Sequence, residues 1–368
     1  MTKKPKTRLR PLHADRPERL ASPPFALHGA LKLSMARVDS YNLDITYRGK
    51  RLAACTNMRA LKAAVERWRK SARLSGGDPF GKRDSLELTK KELDAALTSE
   101  DGQACCVMLG AVEEFANSLA LLTERSLLVP EWHRTERIVV GGGLRASATG
   151  ELIIRRAQAL LHDRGLRVEL QPIRSHPHEA ALLGSAQLVP PWVIEAYDAI
   201  IAADIGGTNV RVGMVELNLE KADDLSKAKV WKKVVWRHAD HVVGREDVLH
   251  AITKIMRKLI KNAEAKGMRV APYLGIACPG LIGASGSIGT GSEVLPGNWR
   301  SPHFNLPSWL SDAIPTIGGR ESIVVLHNDA IVQGLSEIPF LGSCRRWGVF
   351  TVGTGLGNAR FSLVGQSP

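Results

Sequence analysis

The chain reads as an α/β protein whose two domains close on a cleft, and three features predict this. Apolar strands run three times into glycine turns, at Asp204-Ile-Gly-Gly-Thr-Asn209, Gly353-Thr-Gly-Leu-Gly357 and Gly141-Gly-Gly143. Between them lie long segments with apolar residues at helical spacing, the alternation that covers sheets with helices. With 368 residues and 44% hydrophobic content, the chain can bury two cores of ordinary size.

In order along the chain, Met1 to Arg10 is basic but has no apolar segment, so residues 1–28 are expected to form a mobile tail without a secretion signal. Short strands are expected at 31–37 and 42–47. A helix over 57–74 follows from Leu61, Val65 and Trp68. After the Gly-Gly-Asp-Pro-Phe-Gly loop at 76–81, Thr89 and Glu92 form a capping box for a short helix. The stripe Met108, Val112, Phe115, Leu119 and Leu122 marks a core-facing helix over 103–125. A strand at 136–140 enters the triple glycine, followed by a helix at 149–162, a strand at 167–170 and a helix at 177–187. Leu188-Val-Pro-Pro-Trp192 interrupts regular structure and reads as a linker.

Beyond it, Ile200 to Ala203 runs into Asp204, Gly206-Gly207 permits a tight reversal, and Val210, Val212 and Met214 alternate outward again. A strand at 230–236 and a helix at 246–265 follow. The strand at 273–277 ends at Cys278-Pro-Gly280, and a glycine-rich loop leads to Leu295-Pro-Gly-Asn-Trp299. A strand at 323–326 ends in His327-Asn328-Asp329 and gives way to a helix reaching Glu337. The last expected strand, 348–352, lies so near the end of the chain that its sheet partners must come from elsewhere.

Composition excludes several classes. No apolar run approaches the roughly 20 residues of a membrane span. The net charge of +13 is interleaved with acids outside the tail, which reads as a solvated basic surface attractive to nucleotides and disfavours a nucleic-acid role. Cys55, Cys105, Cys106, Cys278 and Cys344 lack metal-type spacing and fit reduced thiols in a cytoplasm, with no zinc site. His176-Pro-His178 and His238-Ala-Asp-His241 lack further ligands at suitable spacing and read as loop or surface histidines.

The turns carry the chemistry. In the first, Gly206, Gly207, Thr208 and Asn209 offer backbone N–H groups and a hydroxyl to a phosphate chain, and Asp204 can hold Mg²⁺ through water. In the second, Gly353, Thr354 and Gly355 offer the same grip. Gly141, Gly142 and Gly143 leave bare backbone against which an adenine and ribose can lie. Asp329 could accept a proton from a substrate hydroxyl, and its place between strand and helix equally suits a helix cap.

These motifs resemble those of the sugar-kinase, actin and Hsp70 superfamily, in particular ROK-type sugar kinases. Asp204-Ile-Gly-Gly-Thr-Asn209 resembles the first phosphate motif. Gly275-Ile-Ala-Cys-Pro-Gly280, Asn328-Asp-Ala330 and Val352-Gly-Thr-Gly-Leu-Gly357 continue it. Ile138 to Gly143 resembles the adenosine motif and Glu179 to Ala186 the second connecting helix, yet both stand upstream. The resemblance therefore implies two RNase-H-like (actin-like ATPase) domains around a nucleotide and substrate cleft, in circularly permuted order. One domain would comprise 29–177 plus 346–368 and the other 178–345. Two half-kinases completing each other by swapping is the rival explanation, and assembly as a homodimer is left open.

The resemblance implies an ATP- and Mg²⁺-dependent, hexokinase-like transfer of phosphate to a small sugar-like substrate. Asp329 would be the general base, Asn328 and Asn298 sugar ligands, and Pro279-Gly280 the pocket wall. Asn298 also suits plain turn chemistry, and Trp299 could stack on a sugar or serve as wall. The Glu-x-x-His and zinc-binding cysteine motifs of such kinases are absent, and Val294 stands where an Asn is usual. A regulator that binds nucleotide or sugar without catalysis is the alternative.

Overall fold

Alternation along Ala199–Ile205 buries both faces of one strand: Ile201 and Ala203 pack into one core and Ile200 and Ala202 into another. That strand is central to the first of two five-stranded sheets in the computed structural model, which describes residues 28–74 and 76–364. The tail expected over 1–28 lies outside the described residues except for His28, which is held in place: its Nδ1 accepts from the Leu326 amide at 3.2 Å.

In chain order the elements are β1 (Ala36–Tyr41), the ribbon β2 (Thr46–Tyr47) and β3 (Lys50–Arg51), α1 (Met58–Leu74), α2 (Lys90–Leu97), α3 (Gly102–Leu127), β4 (Arg137–Gly141), α4 (Ala148–Asp163), β5 (Glu169–Pro172) and α5 (Ala180–Gly184). Then come β6 (Ala199–Ile205), β7 (Val210–Glu216), β8 (Lys229–Trp236), α6 (Arg245–Ala265), β9 (Val270–Cys278), α7 (Leu306–Ala313), the ribbon β10 (Thr316–Ile317) and β11 (Arg320–Glu321), β12 (Ile323–Asn328), α8 (Asp329–Leu335), β13 (Arg346–Val352) and β14 (Leu356–Leu363).

The first sheet has the order β12-β9-β6-β7-β8. Strands β6, β9 and β12 are parallel, and β7 and β8 extend the sheet antiparallel. The second has the order β1-β14-β13-β4-β5, with β13, β4 and β5 parallel and β14 and β1 antiparallel. The two plans superpose strand for strand: β13 and β14 take the places of β6 and β7, β1 that of β8, and β4 and β5 those of β9 and β12. In the second sheet the first two places come from the end of the chain and the other three from its beginning.

A core between the sheets gathers α5, α8 and the inner faces of both. Helices α6 and α7 cover the outer face of the first sheet, and α3 and α4 that of the second. Helix α3 is, among the described residues, the one helix long and apolar enough to cross a membrane by composition. Here that apolarity is used in packing, with Met108, Val112, Phe115, Leu119 and Leu122 all buried.

Several expectations need correcting. The strand expected at 31–37 instead spans 36–41, because its register is set by β14, with Ala36 opposite Leu363, and of the one expected at 42–47 only Thr46–Tyr47 is extended, in the two-residue ribbon with β3. The helix expected over 177–187 is regular only over Ala180–Gly184 and tightens into a 3₁₀ turn over Ser185–Leu188. The linker at 188–192 is instead an anchored segment: Leu188, Val189, Val193 and Ile194 are buried in the central core.

Candidate active site

Parallel strands bring their carboxyl ends to one edge, and loops there form the usual ligand site of an open α/β sheet. In the first sheet Asp204 stands opposite Ala277, and Asn328 opposite Cys278. Asp204, Pro279-Gly280 and Asp329 therefore share an edge. In the second sheet Thr351 pairs with Gly141, which places the 353–355 loop beside the triple glycine. Between the two edges lies a cleft of about 1100 Å³ lined by Asp204, Gly206, Gly207, Thr208, Asn209, Pro279, Gly280 and Asp329 from one side. Gly142, Gly143, Gly353, Thr354 and Gly355 line it from the other. Gly141 is buried at the strand end just behind them.

The two glycine-threonine loops meet. Thr208 Oγ1 and Thr354 Oγ1 are 3.0 Å apart, within hydrogen-bond distance. The first loop is tight because Gly206 N donates to Asn209 O at 2.9 Å, and buried His238 fixes it from below, Nε2 donating to Gly206 O at 2.8 Å. A side chain at Gly207 would begin 2.9 Å from Val294 Cβ, so the loop can take this path only with glycine there. In the second loop Gly353 O accepts from Met58 N, the first residue of α1, at 2.9 Å. Gly142 has φ +72°, and a Cβ there would stand 2.7 Å from Val352 O.

Two carboxylates form the acidic floor. Asp204 is 3% exposed, and burial pushes its pKa up against the pull of Arg211. Arg211 Nη1 donates to Asp204 Oδ2 at 2.7 Å, and Arg211 Nε donates to His178 Nδ1 at 2.8 Å. His178 is held neutral, its pKa pushed down to about 4 by burial and then by Arg211. Asp329 is pushed up to about 7, first by burial and then by the charge of Asp204. Only the backbone amides at the helix start and the more distant Arg211 pull it down.

Asn328, rather than Asp329, caps α8: its Oδ1 accepts from Ala330 N at 3.0 Å and Ile331 N at 3.3 Å. Its Nδ2 donates to Gly280 O at 3.0 Å. The expected sugar ligand is thus fully buried, with both ends of its amide engaged by backbone, and what it presents to the cleft is Asp329. Asn298 is exposed and does not line the cleft; its Oδ1 accepts from Arg300 N at 3.1 Å, which is turn chemistry. Trp299 is core, edge-on to Phe304.

Sequence reasoning missed Arg211, His178, Gln333, Lys62, Lys90 and Arg237, all of which line the cleft. Gln333 is 7% exposed and its Oε1 has no partner among the described residues. Arg211 carried a legible signal, because the hairpin register sets it directly opposite Asp204. The lysines carried none, since helices distant in sequence deliver them.

Two carboxylates at one edge suit Mg²⁺, which takes one or two carboxylates and completes its shell with phosphate oxygens and water. With Oδ2 of Asp204 engaged by Arg211, the ion would be held through the other oxygen and water. Among the described residues no three His, Cys, Asp or Glu side chains gather into a metal-binding group.

Neither a family model nor a curated protein matches the sequence. Solved structures do. A ROK hexokinase from Thermus thermophilus is 24% identical over 36% of this chain and 35% of that one, with a TM-score of 0.25. A protein assigned as a sugar kinase from Cytophaga hutchinsonii is 19% identical over 46% of this chain and 50% of that one, with a TM-score of 0.34. A protein of Listeria monocytogenes assigned as an N-acetylmannosamine kinase is 22% identical over 45% and 49%, with a TM-score of 0.32. The chain thus spans between a third and a half of the structures it matches, and all three bear sugar-kinase names.

Proposed function

We propose that the chain is a circularly permuted ROK-type kinase that moves the γ-phosphate of ATP to a hydroxyl of a small sugar-like substrate. The observation that carries this reading is the convergence of Asp204 and Asp329 beneath two glycine-threonine loops whose threonines touch at 3.0 Å. Phosphoryl transfer asks mainly for positioning and charge neutralisation, and this cleft offers backbone N–H groups and hydroxyls for the one and cations for the other, with a raised carboxyl to take the proton. Asp329 accepts the proton of the attacking hydroxyl; a group poised near neutral pH combines the right protonation state with useful basicity. Arg211, bonded to Asp204 at 2.7 Å, opposes the upward push of burial on its pKa. Magnesium, when bound, supplies charge neutralisation at the phosphates, with Asp204 its protein ligand through water.

The matched strand orders of the two sheets support the permuted arrangement. Residues 346–363 pair with 36–41 and 137–141 of the same chain, as one permuted unit requires. Domains of 29–177 plus 346–368 and of 178–345 follow from that reading. Asn328 is buried with its Oδ1 on the helix start and one Nδ2 hydrogen on Gly280 O, so substrate selection draws also on residues that line the cleft, among them Asn42, Asp44 and Glu293.

The test is a screen of sugars with ATP and Mg²⁺, wild type against Asp329→Asn. The expected outcome is a kcat lower by about 10²–10⁴-fold in the variant, with nucleotide affinity retained. The wild-type rate should rise with pH through an apparent pKa near 7. A chain that binds nucleotide but phosphorylates no sugar is a binding module, and the kinase reading then falls.

A further inference from the structure

Cations outnumber their acid partners where the two loops meet. Lys62 of α1, Lys90 of α2, Arg211 of β7 and Arg237 beyond β8 line one cleft. The arginines have carboxylate partners, Asp204 and Asp240. The lysines have carbonyls instead: Lys90 Nζ donates to Gly143 O and Lys62 Nζ to Leu86 O, each at 2.6 Å. Both are partly buried. Burial lowers both pKa values, and the neighbouring cations lower them further, Arg237 at Lys62 and Arg211, Lys62 and Arg237 at Lys90, with Glu92 and Asp94 offsetting only part. Like charges crowded into a half-dry cleft repel one another more than they would in water. A fold that holds them there is matched to an anion that neutralises them.

The scaffold places them on the phosphate loops. Helix α1 starts on the second loop through the Met58 N to Gly353 O bond. Lys90 is the first residue of α2, whose start is fixed by the Thr89–Glu92 capping box. The carbonyl it grips belongs to Gly143, where a Cβ would sit 3.8 Å from Gly353 Cα. We propose that Lys62, Lys90 and Arg237 form a cationic clamp for a polyphosphate chain laid across the Thr208 and Thr354 loops. The clamp deepens the kinase reading, naming residues outside every motif that suggested it. Its ligand chemistry is a run of phosphates, from a nucleoside triphosphate or from inorganic polyphosphate.

Calorimetric titrations with ATP, inorganic tripolyphosphate and adenosine, each with Mg²⁺ at several salt concentrations, test it on wild type, Lys62→Gln, Lys90→Gln and Lys90→Arg. Each Gln variant should weaken ATP and tripolyphosphate alike by about 10-fold, the range of a charge-assisted hydrogen bond. Adenosine affinity should not move, Lys90→Arg should restore most of the loss, and the salt dependence should be shallower in the Gln variants. Lys62, half-buried and bonded to the Leu86 carbonyl with no ion pair among the described residues, can be replaced without unfolding α1, so the test survives a Lys90 variant that misfolds. ATP and tripolyphosphate affinities within two-fold of wild type in both Gln variants would overturn the clamp while leaving the nucleotide reading intact. Tripolyphosphate binding that depends on the lysines, without ATP binding, would keep the clamp and overturn the nucleotide reading. A wild type that binds neither overturns both.

Discussion

A four-residue turn between β6 and β7 decides the chemistry of one residue pair. It sets Asp204 directly across from Arg211, so a buried carboxyl meets a guanidinium at 2.7 Å that opposes the upward push of burial on its pKa. Asp329 has no such partner, and that leaves it costly to the fold. With a folded pKa of about 7 against an ordinary 3.8, it keeps a proton that the unfolded chain releases. Its effect on stability is absent below about pH 4, grows unfavourable as pH rises to 7, and then levels off. Asp329→Asn should therefore raise the thermal midpoint at neutral pH, by the equivalent of about 1 kcal/mol, and leave it unchanged near pH 4. His327 shows the opposite sign. Its Nδ1 accepts from Asn328 N and its Nε2 donates to Ala30 O, and burial pushes its pKa down to about 4. The stability this neutral ring contributes is complete above its ordinary 6.5 and is lost as pH falls towards 4. Urea midpoints should drop through that window in wild type and drop less in His327→Gln.

At the scale of elements, local signals found what local physics builds. The helices at 57–74, 103–125, 149–162 and 246–265 were readable because an apolar stripe and a cap are properties of contiguous residues, and the Thr89–Glu92 box appears as expected. Strand β14 was not readable: Gly357 and Asn358 disfavour a strand, and the segment is extended because β13 and β1 pair with it on either side. Helix α5 is short because it must fit against α8 in the central core. A buried charge network ties α1 to the 78–85 segment that leads into α2. Arg69 is fully buried and donates to both oxygens of Asp78 at 3.0 Å, to Ser85 Oγ at 2.7 Å and to Gly81 O at 3.0 Å. Asp78→Ala strips its main counter-charge and should cost about 3 kcal/mol. Hydrogen exchange should rise over 76–97 while the two sheets stay protected. The same variant should weaken ATP binding, since the ordering of α2 positions Lys90.

The turns of the site were legible for the same reason as the helices, each being a few consecutive residues with a distinct chemistry. Lys62 and Lys90 were not, since only the packing of α1 and α2 onto the glycine loops carries them there. Motif order alone suggests a permuted connectivity, and the whole molecule offers a direct test of it. Val364 N donates to Met35 O at 3.1 Å, and Leu363 lies opposite Ala36, so β1 and β14, the first and last strands among the described residues, are adjacent and antiparallel in one sheet. Joining Pro368 to Met1 closes a long loop between those strands. The entropy of such a loop grows slowly, about 0.6 kcal/mol for each doubling of length. The chain can then be reopened between Glu195 and Ala196, both exposed, where the break gives up only the Tyr197 N to Ile194 O bond nearby. The rearranged protein begins at Ala196, makes the first sheet entire and then the second, and retains every residue of the parent chain. If one permuted unit is the correct description, it should fold as a monomeric unit with an unchanged far-ultraviolet spectrum, a thermal midpoint within a few degrees of the parent and the same affinity for ATP. Loss of the folded spectrum, or folding only as a dimer, would mean that the second sheet depends on the present order of the chain or on a second copy. Cuts and joins are tolerated where the elements they connect lie close together at the surface, and here β1 and β14 are neighbours in one sheet.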